Sequence, residues 1–450
     1  MMSSLSWHDK SPSQRCDWLD LIRGLAAIVM IEAHCVNAWL QHNLIPNWLD
    51  FLNGLVAPGF IMCAGYSQAL SVFKSDGSLR PFLPTAKRIG IILLCAYMLH
   101  APKLTFANWP NIVTLQDCRE FFKIDTLQCI AVSILILHVI ARAIRQPITY
   151  AAVVTALAVG VAVVAPNLWQ PSVANGLWLP IRGFINGNSD RGVTALFPIV
   201  PWFAFAAFGS ALGICYRQLR VLTTSGQAKW SEAKWLFIIT ITSTILCLWS
   251  SCHTETWLIG KNWPQSEQWR LHNMTLPSVT QRLSIVCIIG SVLCWLESIR
   301  IKLPGPNIIK TAGNESLLIY VLHVVIIFRF LLVDPIRSYT GWHWYALDWN
   351  TTIAITTAII FISITASIQW NKLPSNLPQI RKLQRAVFVT VSIWIIGIGV
   401  GISNVPSATT YAKVEGQQSQ THVHPTQDRQ ASRLTSNTDI KMYTKLRSAS

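Results

Sequence analysis

Residues 17–34 read Asp17-Trp18-Leu19-Asp20-Leu21-Ile22-Arg23-Gly24-Leu25-Ala26-Ala27-Ile28-Val29-Met30-Ile31-Glu32-Ala33-His34. The run continues to Leu40, and about 20 mostly apolar residues are what an α-helix needs to cross a bilayer. Ionisable side chains are costly there, so each one in this run calls for a partner or a task. No small-residue cleavage site follows, so the run reads as a retained span rather than a cleaved leader.

The rest of the chain agrees with this beginning. Of its 450 residues 52% are hydrophobic and 12% are charged, against about 25% charged in a soluble domain. Mean hydropathy is +0.40. The 20 Trp residues fit helices that meet lipid headgroups. A net charge of +16 invites a nucleic-acid partner. The basic residues sit in short connections between apolar runs, however, so membrane topology explains the charge and no nucleic acid is expected.

Apolar runs place spans at 18–40, 51–73, 86–101, 125–142, 148–166, 196–216, 233–252, 281–299, 314–333, 350–370 and 386–403. The fold class expected is all-α: a polytopic integral membrane bundle of about eleven transmembrane helices. No repeat period is visible. The organisation expected is a cytoplasmic segment at 1–17, a transmembrane domain at 18–403 and a disordered tail at 404–450, too polar to bury a core. Connections on the side of the chain start, such as Lys87, Arg88, Arg142, Arg145, Arg217 and Arg220, hold twice the Lys and Arg of the opposite side. That bias puts the N-terminus in the cytoplasm. A bacterial inner membrane is the expected location. Most of the 11 Cys residues lie inside apolar runs and read as small core residues. Cys118 and Cys252 could share the outer face.

The first span carries the chemistry. Asp20 and Arg23 are three apart and can pair on one helix face. Arg23 and His34 are eleven apart, close to three whole turns, so they share a face about 16 Å apart along the axis. A cation near the cytoplasm and an imidazole deep in lipid suit a long thioester donor. The phosphates of coenzyme A would meet Arg23, whose planar fork matches them, and the thioester would reach His34. His34 could act as a general base or as an acyl-carrying nucleophile. It could also simply hydrogen-bond a neighbouring helix.

Other polar residues stay open between two readings. Ser316, Tyr320 and His323 share one helix face; they line the donor tunnel or orient His34, or they only tie helices together. Asp125 and Gln128 form a capping box or belong to the outer mouth. Glu32 is a second proton carrier or half of a buried ion pair, turned away from His34 by about 200°. Asn314 reads as a helix cap, and Arg329 as a snorkelling end residue. His42, Asn47, Trp48 and Asp50, with Trp178, Asn186, Asn188, Asp190 and Arg191, supply aromatic and amide groups that suit a sugar.

The pattern Asp20-Leu-Ile-Arg23-Gly24-Leu-Ala with His34 later on the same helix resembles the first helix of the acyltransferase-three superfamily and of the related heparan-α-glucosaminide N-acetyltransferase family. Four later segments favour the second, in family order: Ala57-Pro58-Gly59-Phe60 with Ala64-Gly65-Tyr66; Asp125-Thr-Leu127-Gln128; Pro198-Ile-Val-Pro201-Trp202 with Gly209 and Gly213; and Gly313-Asn314-Glu-Ser316 with Tyr320 and His323. The resemblance covers most of residues 15–330. It implies acetyl transfer from cytoplasmic acetyl-CoA, a co-substrate rather than a bound cofactor, to a sugar or glycan across the membrane, with His34 catalytic. No metal is expected. Glu32 departs from the pattern, which expects an apolar residue there. The connection after the first helix is short, which leaves the acceptor open; O- or N-acylation and the oligomeric state are open on the sequence as a whole. Two alternatives remain: a proton-coupled secondary transporter, against which neither repeated halves nor broken helices are visible, and a lipid-modifying acyltransferase with a cytoplasmic acceptor.

Overall fold

The computed structural model describes residues 17–74, 77–100, 121–169, 173, 177, 179–186, 195–224, 232–253, 275–298, 306–332 and 336–372. Among these the chain is helical, and extended pairing is limited to isolated bridges such as Leu40 with Leu347. The helices are α1 (Asp17–Trp39), α2 (Asn47–Asn53), α3 (Val56–Val72), α4 (Leu83–Leu99), α5 (Thr126–Ile144), α6 (Pro147–Leu168) and α7 (Leu179–Ile185). There follow α8 (Ile199–Thr224), α9 (Glu232–His253), α10 (Leu276–Ser298), α11 (Pro306–Asn314), α12 (Ser316–Val324), α13 (Ile336–Thr340) and α14 (Trp349–Lys372).

Seven helical segments are long and apolar enough to cross a membrane, or eight if one bent pair is a single span. Outside that set stand α1, which carries Asp17, Asp20, Arg23 and Glu32, and α4, which has 17 residues. The count of about eleven is thus not confirmed: seven or eight spans meet both criteria among the described residues, and the run at 386–403 lies outside them. The third span begins earlier than its apolar run, at Leu83, with Pro84 in the first turn where a missing N–H costs nothing. Large side chains such as Phe237, Ile245, Leu248 and Phe361 face outward, as lipid permits.

The expected continuous span at 314–333 is broken. Helix α11 ends at Asn314, α12 starts at Ser316, and the two segments bend by 80°. A π-helical stretch, Val325–Leu331, continues α12. The capping role expected of Asn314 falls to no side chain, since Glu315 occupies the cap position without a side-chain bond.

Glycines set two of the closest crossings. A Cβ on Gly24 would run into the carbonyl of Ile309, and one on Gly313 into the carbonyl of Asp20, so α1 and α11 meet backbone to backbone. A Cβ on Gly65 would strike the Ala206 carbonyl, and one on Gly209 the Met62 carbonyl, where α3 crosses α8. Gly209 and Gly213 form a G-x-x-x-G pair, the spacing that lets membrane helices approach closely. Near this crossing the buried Tyr150 hydroxyl lies 2.7 Å from the Ser210 hydroxyl and donates to Gln68 Oε1 at 3.2 Å, joining α3, α6 and α8. Where α8 starts, Val200 leaves helical geometry ahead of Pro201, and its carbonyl accepts from the Trp169 indole at 2.7 Å.

Candidate functional site

At the Asp17 end of α1, Asp20 is buried and its Oδ1 lies 3.6 Å from Arg23 Nη1. Nη2 of Arg23 donates to the Cys63 carbonyl at 3.3 Å and to the Ser67 hydroxyl, both on α3. Ser67 donates in turn to the Cys63 carbonyl at 2.8 Å. Part of the guanidinium fork is therefore spent on tying α1 to α3. Arg88 of α4, which the sequence marks only as one of the cations on the cytoplasmic side, lies close enough for the two charges to interact.

Further along the same face of α1, Met30 packs with Ile92 and Cys95 of α4, Ala131 of α5, and Tyr320 and Val321 of α12. One turn beyond Met30 is His34. Its imidazole faces inward: Nδ1 lies 2.8 Å from Nε2 of His323. The rings meet edge to edge, 18° from parallel with centroids 5.0 Å apart, and Phe328 closes the side of His34 edge-on at 5.6 Å. His323 is fully buried, and its Nδ1 lies 2.6 Å from the carbonyl of Ile319.

One assignment of protons satisfies both contacts of the neutral pair. A carbonyl only accepts, so His323 Nδ1 carries a hydrogen and donates to Ile319. Its Nε2 is then a lone pair, which accepts from Nδ1–H of His34. His34 is left with its lone pair on Nε2, away from His323. An imidazole fixed in one tautomer by a second group is the arrangement that general-base and nucleophilic catalysis both require. Here a second imidazole does the fixing, and a backbone carbonyl orients that imidazole.

Tyr320, one turn before His323, carries this constellation to α5. Its ring meets His323 edge-on at 5.6 Å, and its hydroxyl donates to Asp125 Oδ2 at 3.3 Å. Asp125 forms the capping box expected of it: Oδ1 accepts from the Thr126 amide at 2.7 Å, and Gln128 Oε1 accepts from the Asp125 amide at 3.1 Å. The box leaves Oδ2 over, and His100 Nε2 stands 3.7 Å from it. His34 and His323 lie within electrostatic reach of the same carboxylate. Asp125 and Gln128 thus form the expected cap, and Asp125 also reaches the histidine pair through Tyr320, a place the outer-mouth reading did not give it. His100 was overlooked, although an ionisable residue closing the apolar run at 86–101 is the signal that picked out His34.

Ser316 is not brought to the pair. It opens α12, about 10 Å along the helix from His323. Glu32 interacts with Asn53 at the end of α2 rather than with His34, and its Oε1 is buried without a hydrogen-bond partner. Arg329 donates to the Leu99 carbonyl at the end of α4. Of the loop residues that suit a sugar, His42 stacks on Tyr345 at 3.8 Å, Trp48 is exposed, and buried Asn186 donates to the Leu168 carbonyl at 2.8 Å. Trp178, Asn188, Asp190 and Arg191 lie outside the described residues, as does Cys118; Cys252 is a free thiol. Among the described residues no group of three His, Cys, Asp or Glu side chains converges to hold a metal ion.

Comparison with individually curated proteins gave no match. The family model described as heparan-alpha-glucosaminide N-acetyltransferase, catalytic, matches residues 15–249, just over half of the chain, and takes in Asp20, Arg23, His34, His100, Asp125 and Gln128. A helical membrane bundle with its paired histidines and a family match over its first half lead to one assignment: the chain belongs to the heparan-α-glucosaminide N-acetyltransferase catalytic family, a family of acetyltransferases.

Proposed function

We propose that this membrane acetyltransferase takes the acetyl group from cytoplasmic acetyl-CoA and delivers it to a sugar or glycan on the far side of the bilayer, with His34 Nε2 as the reacting atom. The observation that carries the reading is the His34–His323 hydrogen bond: it presents one lone pair of a half-buried imidazole, about 16 Å along α1 from Arg23. Arg23 and Arg88 stand at the end of α1 assigned to the cytoplasm by the positive-inside bias, where the phosphates of the donor would lie. The pantetheine arm would follow the face of α1 past Met30. As general base, Nε2 would take the proton of the attacking hydroxyl or amine as the thioester carbonyl is attacked, and coenzyme A would leave as the thiol. As nucleophile, the same Nε2 would hold the acetyl group first. Both routes use one atom, and both need Nδ1–H held by His323.

The break between Asn314 and Ser316 favours a second reading, a transporter, since such proteins bind substrates at interrupted helices. The interruption lies at the α1–α11 crossing beside Asp20 rather than at His34, which favours the enzyme. One experiment separates them. Purified protein in detergent is given labelled acetyl-CoA and a panel of amino sugars, neutral sugars and lipids, beside His34→Ala. Transfer of label to a sugar, absent in the variant, supports the enzyme, because a micelle holds no gradient to transport against. No transfer to any acceptor above the variant defeats it, and transfer to lipid alone moves the acceptor to the membrane.

A further inference from the structure

The capping box of α5 leaves one hydrogen-bonding group of opposite kind unused on each of its two residues. Asp125 Oδ2 is an acceptor that meets only the neutral Tyr320 hydroxyl at 3.3 Å and His100 at 3.7 Å; no Lys or Arg among the described residues pairs with it. Gln128 is fully buried, and its Oε1 is spent on the Asp125 amide. Its Nε2, about 2 Å from that oxygen by covalent geometry, has no hydrogen-bond partner in the structure. A buried amide donor left unmade costs about 1–3 kcal/mol, so such a group is kept for a ligand or an ordered water. A carboxylate oxygen and an unpaired carboxamide donor carried by one capping box match a group that both donates and accepts. A sugar hydroxyl is such a group: its hydrogen serves Asp125 and its oxygen serves Gln128.

We infer that Asp125 and Gln128, with His100 beside them, form a subsite that holds a non-reacting hydroxyl of the acceptor sugar and so orients its reacting group toward His34. This rests on the acetyltransferase reading and deepens it. The subsite belongs to the same constellation as the catalytic pair, because Tyr320 touches both Asp125 and His323. It is built on the first turn of a capped helix, which fixes both side chains before the ligand arrives and reduces the ordering cost of binding.

Two substitutions invert the subsite while keeping the helix start. Asp125→Asn retains a good cap and replaces the free oxygen with a donor, and Gln128→Glu retains the capping-box acceptor and removes the donor. The probe is methyl α-D-glucosaminide, with its 3-deoxy, 4-deoxy and 6-deoxy analogues, acetylated from labelled acetyl-CoA in detergent. Either variant is expected to raise KM for the parent sugar about 10- to 100-fold and to leave KM for acetyl-CoA unchanged. One deoxy analogue is expected to lose as much with the unmodified protein and to lose nothing more in the variants. Unchanged KM in both variants means that a water fills the position and overturns the inference while the enzyme reading stands. Equal KM for all the deoxy analogues with unmodified protein overturns it as well, whether or not a variant folds. If unmodified protein acetylates none of these sugars, the enzyme reading fails for this acceptor class and the inference falls with it.

Discussion

Replacing His323 by leucine removes the atom that accepts from His34 and leaves the volume of the site nearly filled. His34 Nδ1–H, 2.8 Å from His323 Nε2, then has no acceptor there. Stranding a buried donor costs about 1–3 kcal/mol, and the ring can avoid that cost by moving its hydrogen to Nε2, which removes the reacting lone pair. At about 1.36 kcal/mol per tenfold in rate, kcat falls about 5- to 150-fold. His323→Gln behaves differently, since its side-chain oxygen reaches about as far as Nε2 and can accept from His34; it stays within about tenfold of the unmodified rate on the same scale. The assay is steady-state transfer of labelled acetyl, with KM for acetyl-CoA and for the sugar measured separately. Both are expected to hold within about twofold, because neither substrate touches His323 in this account. Leucine and glutamine variants of equal kcat, or a leucine variant at the unmodified rate, would refute the tautomer argument.

Three further outcomes follow from the same structure. Gly24→Leu forces a side chain into the Ile309 carbonyl where α1 meets α11; it should lower thermal stability by about 1–3 kcal/mol or prevent folding, read by melting and by size-exclusion chromatography. Tyr150→Phe strips the hydroxyl shared by Ser210 and Gln68 and should cost about 1–3 kcal/mol with kcat unchanged, since that network lies outside the histidine constellation. Ser67→Ala takes one acceptor from Arg23; it should cost about 1 kcal/mol in stability and change KM for acetyl-CoA rather than for the sugar.

The helical membrane bundle was legible because lipid imposes a simple rule: long apolar runs must be helices. Boundaries of α1, α5, α6 and α14 follow those runs closely. What the runs could not show is the bend at Glu315, because Gly313-Asn314-Glu315-Ser316 interrupts the apolar pattern too briefly to read as a break. The glycines of the family pattern were visible as letters and not as contacts. Gly24 and Gly313 are 289 residues apart, and only the fold shows that each sits against the other helix's backbone. In the site, helical phase put Arg23 and His34 on one face of α1, yet it said nothing of what lies opposite. The partner of His34 is likewise 289 residues away, so pairing it with His323 needed coordinates. His100 and Gln128 show the converse: both were readable, one as an ionisable residue closing an apolar run and the other as half of a capping box. The box accounts for one end of the Gln128 amide and leaves the other end unused.

The most direct test is a structure of the protein bound to a coenzyme A thioether that cannot transfer its acyl group. The account predicts phosphates beside Arg23 and Arg88, and the carbon that replaces the thioester carbonyl about 3–3.5 Å from His34 Nε2, the separation of a near-attack arrangement, with His34 Nδ1 still bonded to His323. An analogue that ends away from His34, or one that reaches it only after the His34–His323 bond has broken, would contradict it.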